Sequence, residues 1–202
     1  MATSRISTSS ILQGFPKSRS LLAGNTAYSP VSLLGYNSIQ TITVGSGGTA
    51  TVDFTSIPSI YKHLQIRAMF GTSSAGSSTG LKFNNNSTGT KYAYHYIAGT
   101  GSGSGFTGES INRNFLNITD FTGGSLTASP TVAIIDVLDY ASATKNKTLQ
   151  NLSGYDASGS GGLGIFSGHW RDTTAINQIT IYSISSATFL ENSSFALYGI
   201  EG

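Results

Sequence analysis

The sequence predicts an all-β fold, an antiparallel sandwich or barrel, led by an extended amino-terminal arm. Three observations predict it. Short runs of alternating apolar and polar residues recur about every 10–15 residues, with Gly- and Asn-rich turns between them. No stretch shows the roughly 3.6-residue periodicity of an amphipathic helix. Polarity comes from hydroxyls and amides: Ser and Thr supply 56 of 202 residues and Gly another 25, while charged residues make up 10%, against roughly 25% in ordinary domains.

Residues 1–37 read as the arm. The opening MATSRISTSSILQGFPKSRS carries Arg5, Lys17 and Arg19 and no acidic residue. Its longest apolar run is Ile11-Leu12, too short for the ~7–15-residue core of a secretory signal. Gly14 and Pro16 break any helical stripe. The positive charge is concentrated here, because residues 53–202 hold 8 basic and 9 acidic side chains. Three charges are too few for a nucleic-acid footprint, in which affinity is a sum over phosphate contacts. An acidic protein surface is the expected partner. The chain has no cysteine, which removes disulfides and thiolate metal sites. No run approaches ~20 apolar residues, so no membrane-spanning helix is expected.

Residues 38–202 read as the β domain. IQTITV, GSGG and TATVDF predict a hairpin turning at 45–48. Pro58 marks an entry bend. Beyond it, Leu64, Ile66, Ala68 and Phe70 alternate with His63, Gln65 and Arg67, the pattern of a half-buried strand. GLKFNNNSTGTKYAYHYI predicts a second hairpin turning at Asn85–Gly89, where Asn and Gly accept a left-handed backbone. Tyr92, Tyr94 and Tyr96 share one face of its second strand. GTGSGSG is a flexible loop and NRNFLNI a short strand. TVAIIDVLDY is apolar on both faces, which predicts a central or covered strand. KTLQNLSGYD, LGIFSGHW, INQITIYSI and SSFALYGI complete about nine or ten strands. No fixed period of ~20–50 residues suggests a repeat protein.

Candidate chemistry is sparse. His63, His95 and His169 lie on different strands with no second ligand at metal spacing. Ser167, His169 and Asp172 are too close in sequence to converge as a triad. Asp136 and Asp139 have opposite strand parity, so they cannot act as paired carboxylates; Asp139 is expected to cap the turn 140–147. GSGSG lacks the Lys-Ser/Thr and the helix of a phosphate cradle. No catalytic residue, cofactor or metal ligand is assigned. The Tyr92, Tyr94, Tyr96 row reads as core or as a subunit contact, with an aromatic platform for a glycan as the alternative.

SRISTSSILQGFPKSRSLLAGNTAY resembles the start of virion structural proteins of tailed bacteriophages, cyanophages and marine phages in particular. VGSGGTATVDFTSIPSIYKHLQIR resembles a module of such proteins, carried here by Ser56, Ile57, Pro58, Tyr61 and Leu64. LKFNNNSTGTKYAYHYI, IDVLDYASATKNKTLQNLSGYD and SSFALYGIEG are similar to its later parts. The resemblance implies a jelly-roll-like sandwich of the decoration or cement type: a homotrimer on the capsid exterior, seated where major capsid subunits meet. An extended arm of ~35 residues reaches roughly 100 Å at ~3.3 Å per residue, enough to cross to a neighbouring subunit. Its anchors would be Ile6, Ile11, Leu12, Phe15, Leu21 and Leu22, with Arg5, Lys17 and Arg19 steering it on an acidic shell. The alternative within the same resemblance is a tail, baseplate or fibre module that touches host glycan.

Overall fold

The computed structural model describes residues 35–201, which form twelve strands and no helix. The strands are β1 (Tyr36–Thr43), β2 (Thr51–Phe54), β3 (His63–Phe70), β4 (Thr79–Phe83), β5 (Tyr92–Thr100) and β6 (Gly105–Arg113). They continue with β7 (Leu116–Thr119), β8 (Thr131–Leu138), β9 (Lys147–Asp156), β10 (Gly161–Trp170), β11 (Ile179–Ser183) and β12 (Ser194–Ile200). The all-β antiparallel expectation holds. The strand expected from Ile39 begins three residues earlier, at Tyr36, which already pairs with Ile200.

The strands make two sheets. The large one runs β1-β12-β3-β8-β9-β10-β5-β6 and the small one β2-β11-β4-β7, every pairing antiparallel. The chain crosses between sheets at nearly every step: β1 large, β2 small, β3 large, β4 small. Two hairpins, β5-β6 and β9-β10, interrupt this alternation and extend the large sheet. Without them, β1-β12-β3-β8 faces β2-β11-β4-β7, the paired four-stranded sheets of a jelly roll.

This winding corrects both predicted hairpins. Strand β1 pairs with β12 and β2 with β11, so GSGG is a corner between sheets. Likewise β4 pairs with β11 and β7, while β5 pairs with β10 and β6. The Asn corner does adopt the expected left-handed backbone, at Asn84 (φ 50) and Asn85 (φ 53). The Gly/Ser loop is in fact the tight turn of β5-β6: the Thr100 amide donates to Ser104 O at 2.9 Å and Gly103 N to Thr100 O at 3.1 Å. The predicted strand NRNFLNI is split between the end of β6 and β7.

The core lies between the sheets. Leu64, Ile66, Ala68 and Phe70 of β3 all point inward and are buried, as their alternation requires. Phe70, Phe189 and Phe195 form one aromatic cluster, with centroids 5.1–5.4 Å apart. Phe83, Trp170 and Tyr92 form a second. The inserted hairpins come close to the segment after β7 because β10 carries glycine on its inner face. A Cβ at Gly162 would lie 2.2 Å from the Phe121 ring, and one at Gly168 2.9 Å from Leu116. Tyr140, fully buried, donates its hydroxyl to Pro58 O and accepts from the Tyr61 amide at 3.4 Å. The Ser-Ile-Pro-x-x-Tyr element is thereby tied to the end of β8.

Candidate interaction surface

Residues Arg5, Ile6, Ile11, Leu12, Phe15, Lys17, Arg19, Leu21 and Leu22 lie outside the described residues. The body shows where residues 1–34 join it: at β1, an outermost strand of the large sheet.

The tyrosine row is inside the subunit. Tyr92 and Tyr94 are buried in the core, and Tyr96 is half-buried, stacked on Phe166 at 5.4 Å. Tyr92 accepts a hydrogen bond from the Phe83 amide (3.1 Å) and donates to Asn86 O (3.1 Å), and burial pushes its pKa up. Of the two readings of the row, core or subunit contact, the structure gives core for Tyr92 and Tyr94, which leaves them no part in a contact with a second chain or a glycan, while half-buried Tyr96 packs against Phe106 and Phe166. The nearby Tyr182 hydroxyl is pushed up to about 12 by the same desolvation.

The charged candidates are dispersed. The His63 Nδ1 accepts from the Asp139 amide at 3.0 Å, and the exposed His95 meets Glu109 at 3.1 Å. Desolvation, then the charge of Arg171, lowers the pKa of His169. Asp172 is engaged by the Thr174 amide (2.9 Å) and Lys91 (3.3 Å). Asp136 accepts from Gln65 Nε2 at 2.8 Å, on the outer face of β8. Among the described residues no group of three His, Asp or Glu side chains is placed to hold a metal ion.

Asp139 sits at a positive φ just after β8, between Lys145 (2.6 Å) and Lys62 (2.9 Å). Hydrogen bonds from Lys145, then Lys62, hold its carboxyl at about 2 instead of 3.8. A folded-state pKa below the unfolded one contributes stability that is complete above the unfolded value and lost as pH falls through the folded one. Thermal unfolding followed from pH 5 to pH 2 is therefore expected to show a loss below pH 4 that is smaller in Asp139→Asn. Equal slopes for the two proteins would contradict it.

The feature that stands out is the outer face of the large sheet. Antiparallel register aligns residues across strands, and same-parity residues share a face. One row runs Ile134, Leu152, Ile165, Ile97; the next runs Val132, Gly154, Leu163, Gly99. The six large side chains are 41–59% exposed, and Met69, opposite Val132, is equally open. Gly154 and Gly99 interrupt this second row, and a groove of about 890 Å³ follows it to the β9-β10 turn. A polar row, Asp136, Gln150, Ser167, His95 and Glu109, bounds the aliphatic rows on one side. The sequence reading assigned none of these aliphatic residues to a site. The signal for them is TVAIIDVLDY, apolar on both faces: β8 is central as expected, and among the described residues only its inner face is covered.

No family model, curated protein or solved structure matches the chain.

Proposed function

We propose that the protein is a virion structural protein of a tailed phage, a capsid decoration protein that clamps neighbouring major capsid subunits. In this reading the body is a homotrimer on the capsid exterior and residues 1–34 are the fastening arm. The observation that carries the reading is the junction: a basic, acid-free leader joins a jelly roll at the rim strand β1. The likeness of the sequence to phage virion modules supports the same assignment. Ordering an arm costs ~1–2 kcal/mol per residue in backbone entropy. Buried anchors such as Phe15 and Leu21, together with added strand pairing, must offset that cost, while Arg5, Lys17 and Arg19 orient the arm on an acidic shell.

Deleting residues 1–34 removes none of the twelve strands. The shortened protein is expected to unfold at the wild-type temperature and to lose co-sedimentation with empty capsids. Undiminished capsid binding by the shortened protein would end the arm's proposed role. Copy number separates the alternative, a tail, baseplate or fibre module. Hundreds of copies per particle fit a shell protein; a few dozen or fewer fit a tail part.

A further inference from the structure

The aliphatic outer face of β8, β9, β10 and β5 is where we infer that copies of this chain meet, the occupant of the face being a second copy. The inference deepens the oligomer of the proposed function and rests on that reading for its biological setting.

The face is set apart from the rest of the jelly roll. Where the large sheet consists of β1, β12 and β3, its outer side carries Arg67, Gln65, Tyr198 and Thr41, with Arg67 lying over the Tyr36 and Tyr198 rings, and Met69 at the end of β3 adjoins the aliphatic rows. The aliphatic rows begin at β8 and continue over the two inserted hairpins. The insertions thus double the sheet's width and supply four of the six large aliphatic side chains of its outer surface.

Size argues for a permanent contact. Seven aliphatic side chains about half exposed present on the order of 600 Å² of apolar surface, at the top of the roughly 300–600 Å² seen on monomers and most of the ~800 Å² per partner of a stable interface. Ile97, Val132, Ile134, Leu152, Leu163 and Ile165 include no charged and no aromatic residue. Interfaces that never open are the apolar ones; those that form and dissolve are more polar. A decoration protein is made before it meets a capsid, so its apolar face needs a cover during that interval. Another copy of the same chain is the partner present in equal amount from synthesis onward. The geometry suits it: aliphatic ridges beside the groove along Val132 and Leu163 offer a surface that packs against its own kind, as the inner faces of packed sheets do.

The experiment uses the full-length chain. Its mass is measured by light scattering after gel filtration at tens of micromolar, for wild type, Leu152→Glu and Ile165→Glu. Both side chains point outward, so the core is untouched. Thr148→Glu is the control, on the same strand and face but outside the aliphatic rows. Wild type and Thr148→Glu are expected at a multiple of the 21.0 kDa chain, and the other two at a single chain with unchanged secondary structure. If the Glu variants do not fold, Leu152→Thr and Ile165→Thr keep the strand and are expected to weaken assembly at least tenfold. A monomeric wild type overturns the inference, the face then being covered by residues 1–34 of its own chain or by another virion protein. Variants that assemble like wild type also overturn it. A three-chain mass lost in the variants supports both the surface and the trimer. A two-chain mass lost in the variants supports the surface, since a patch that meets itself closes a two-fold, and overturns the three-fold arrangement. Capsid binding is read separately: an assembled protein that ignores capsids keeps this surface and removes the decoration reading.

Discussion

Trp170→Ala is expected to destabilise the fold by about 3–5 kcal/mol, the range for removing a large aromatic from a packed core. Trp170 ends β10 on its inner face and is 1% exposed. Its ring stacks on that of Tyr92, 6.2 Å away on the neighbouring β5, and meets Phe83 of the opposite sheet at 5.5 Å. Phe83 is bound in turn to the Tyr92 hydroxyl through its amide. One side chain thus joins an inserted hairpin, the strand beside it and the small sheet. Deleting it leaves a cavity that none of the three can close alone. Urea denaturation followed by circular dichroism reads the effect as a lower midpoint at unchanged slope. A loss under 1 kcal/mol would mean that this corner collapses freely and that the sheets are not locked there.

The second large effect is expected at Lys147. Its side chain is fully buried on the inner face of β9, a position where an apolar residue is the norm. The ammonium donates to Ser142 O (2.7 Å), Lys145 O (2.7 Å) and Thr173 O (3.0 Å). Burial pulls its pKa down, while the charges of Asp172 and Asp139 oppose that shift. All three of its protons are used, and it ties the β8-β9 turn to the segment after β10. Lys147→Met matches the length and the apolar stem but leaves three carbonyls without their donor. An unpaired group shielded from water costs about 1–3 kcal/mol; these carbonyls belong to half-buried Ser142 and exposed Lys145 and Thr173, and removing the buried charge returns part of the cost, for an expected net loss of about 2 kcal/mol. Hydrogen exchange should show amides of residues 142–147 losing protection first. A methionine variant as stable as wild type, with that turn still protected, would show that the carbonyls find water instead.

Much of the strand content was legible in the residues. The alternation over 64–70 placed Leu64, Ile66 and Phe70 inward, and the structure buries all three. Asn in the turn expected at Asn85–Gly89 announced a left-handed backbone, found at Asn85 and also at Asn84 just before it. The pairing of strands was not legible. A Gly- or Asn-rich link satisfies the same dihedral angles whether the chain folds back beside itself or climbs to the other sheet. Period two says which side of a strand faces a core; it is silent on which strand lies beside it. That is why GSGG and NNNSTG read as hairpins and prove to be corners.

The tyrosine row and the aliphatic face show the same limit from two sides. Aromatics at 92 and 94 need a cover and find it inside the subunit, while Tyr96 leans on Phe106 and Phe166 of its own sheet. Ile165, Leu163 and Leu152 look no different in sequence from core residues, yet among the described residues none packs over them.

By itself the sequence determined an all-β chain of alternating strands, its low charge, and a basic leader without acid, because these are local properties of spacing and composition. Only the tertiary structure decided that successive strands wind between two sheets, that two hairpins widen one of them, and which of the two apolar faces of β8 stays open. Those outcomes depend on contacts between residues far apart in the chain, and local pattern carries no record of partners.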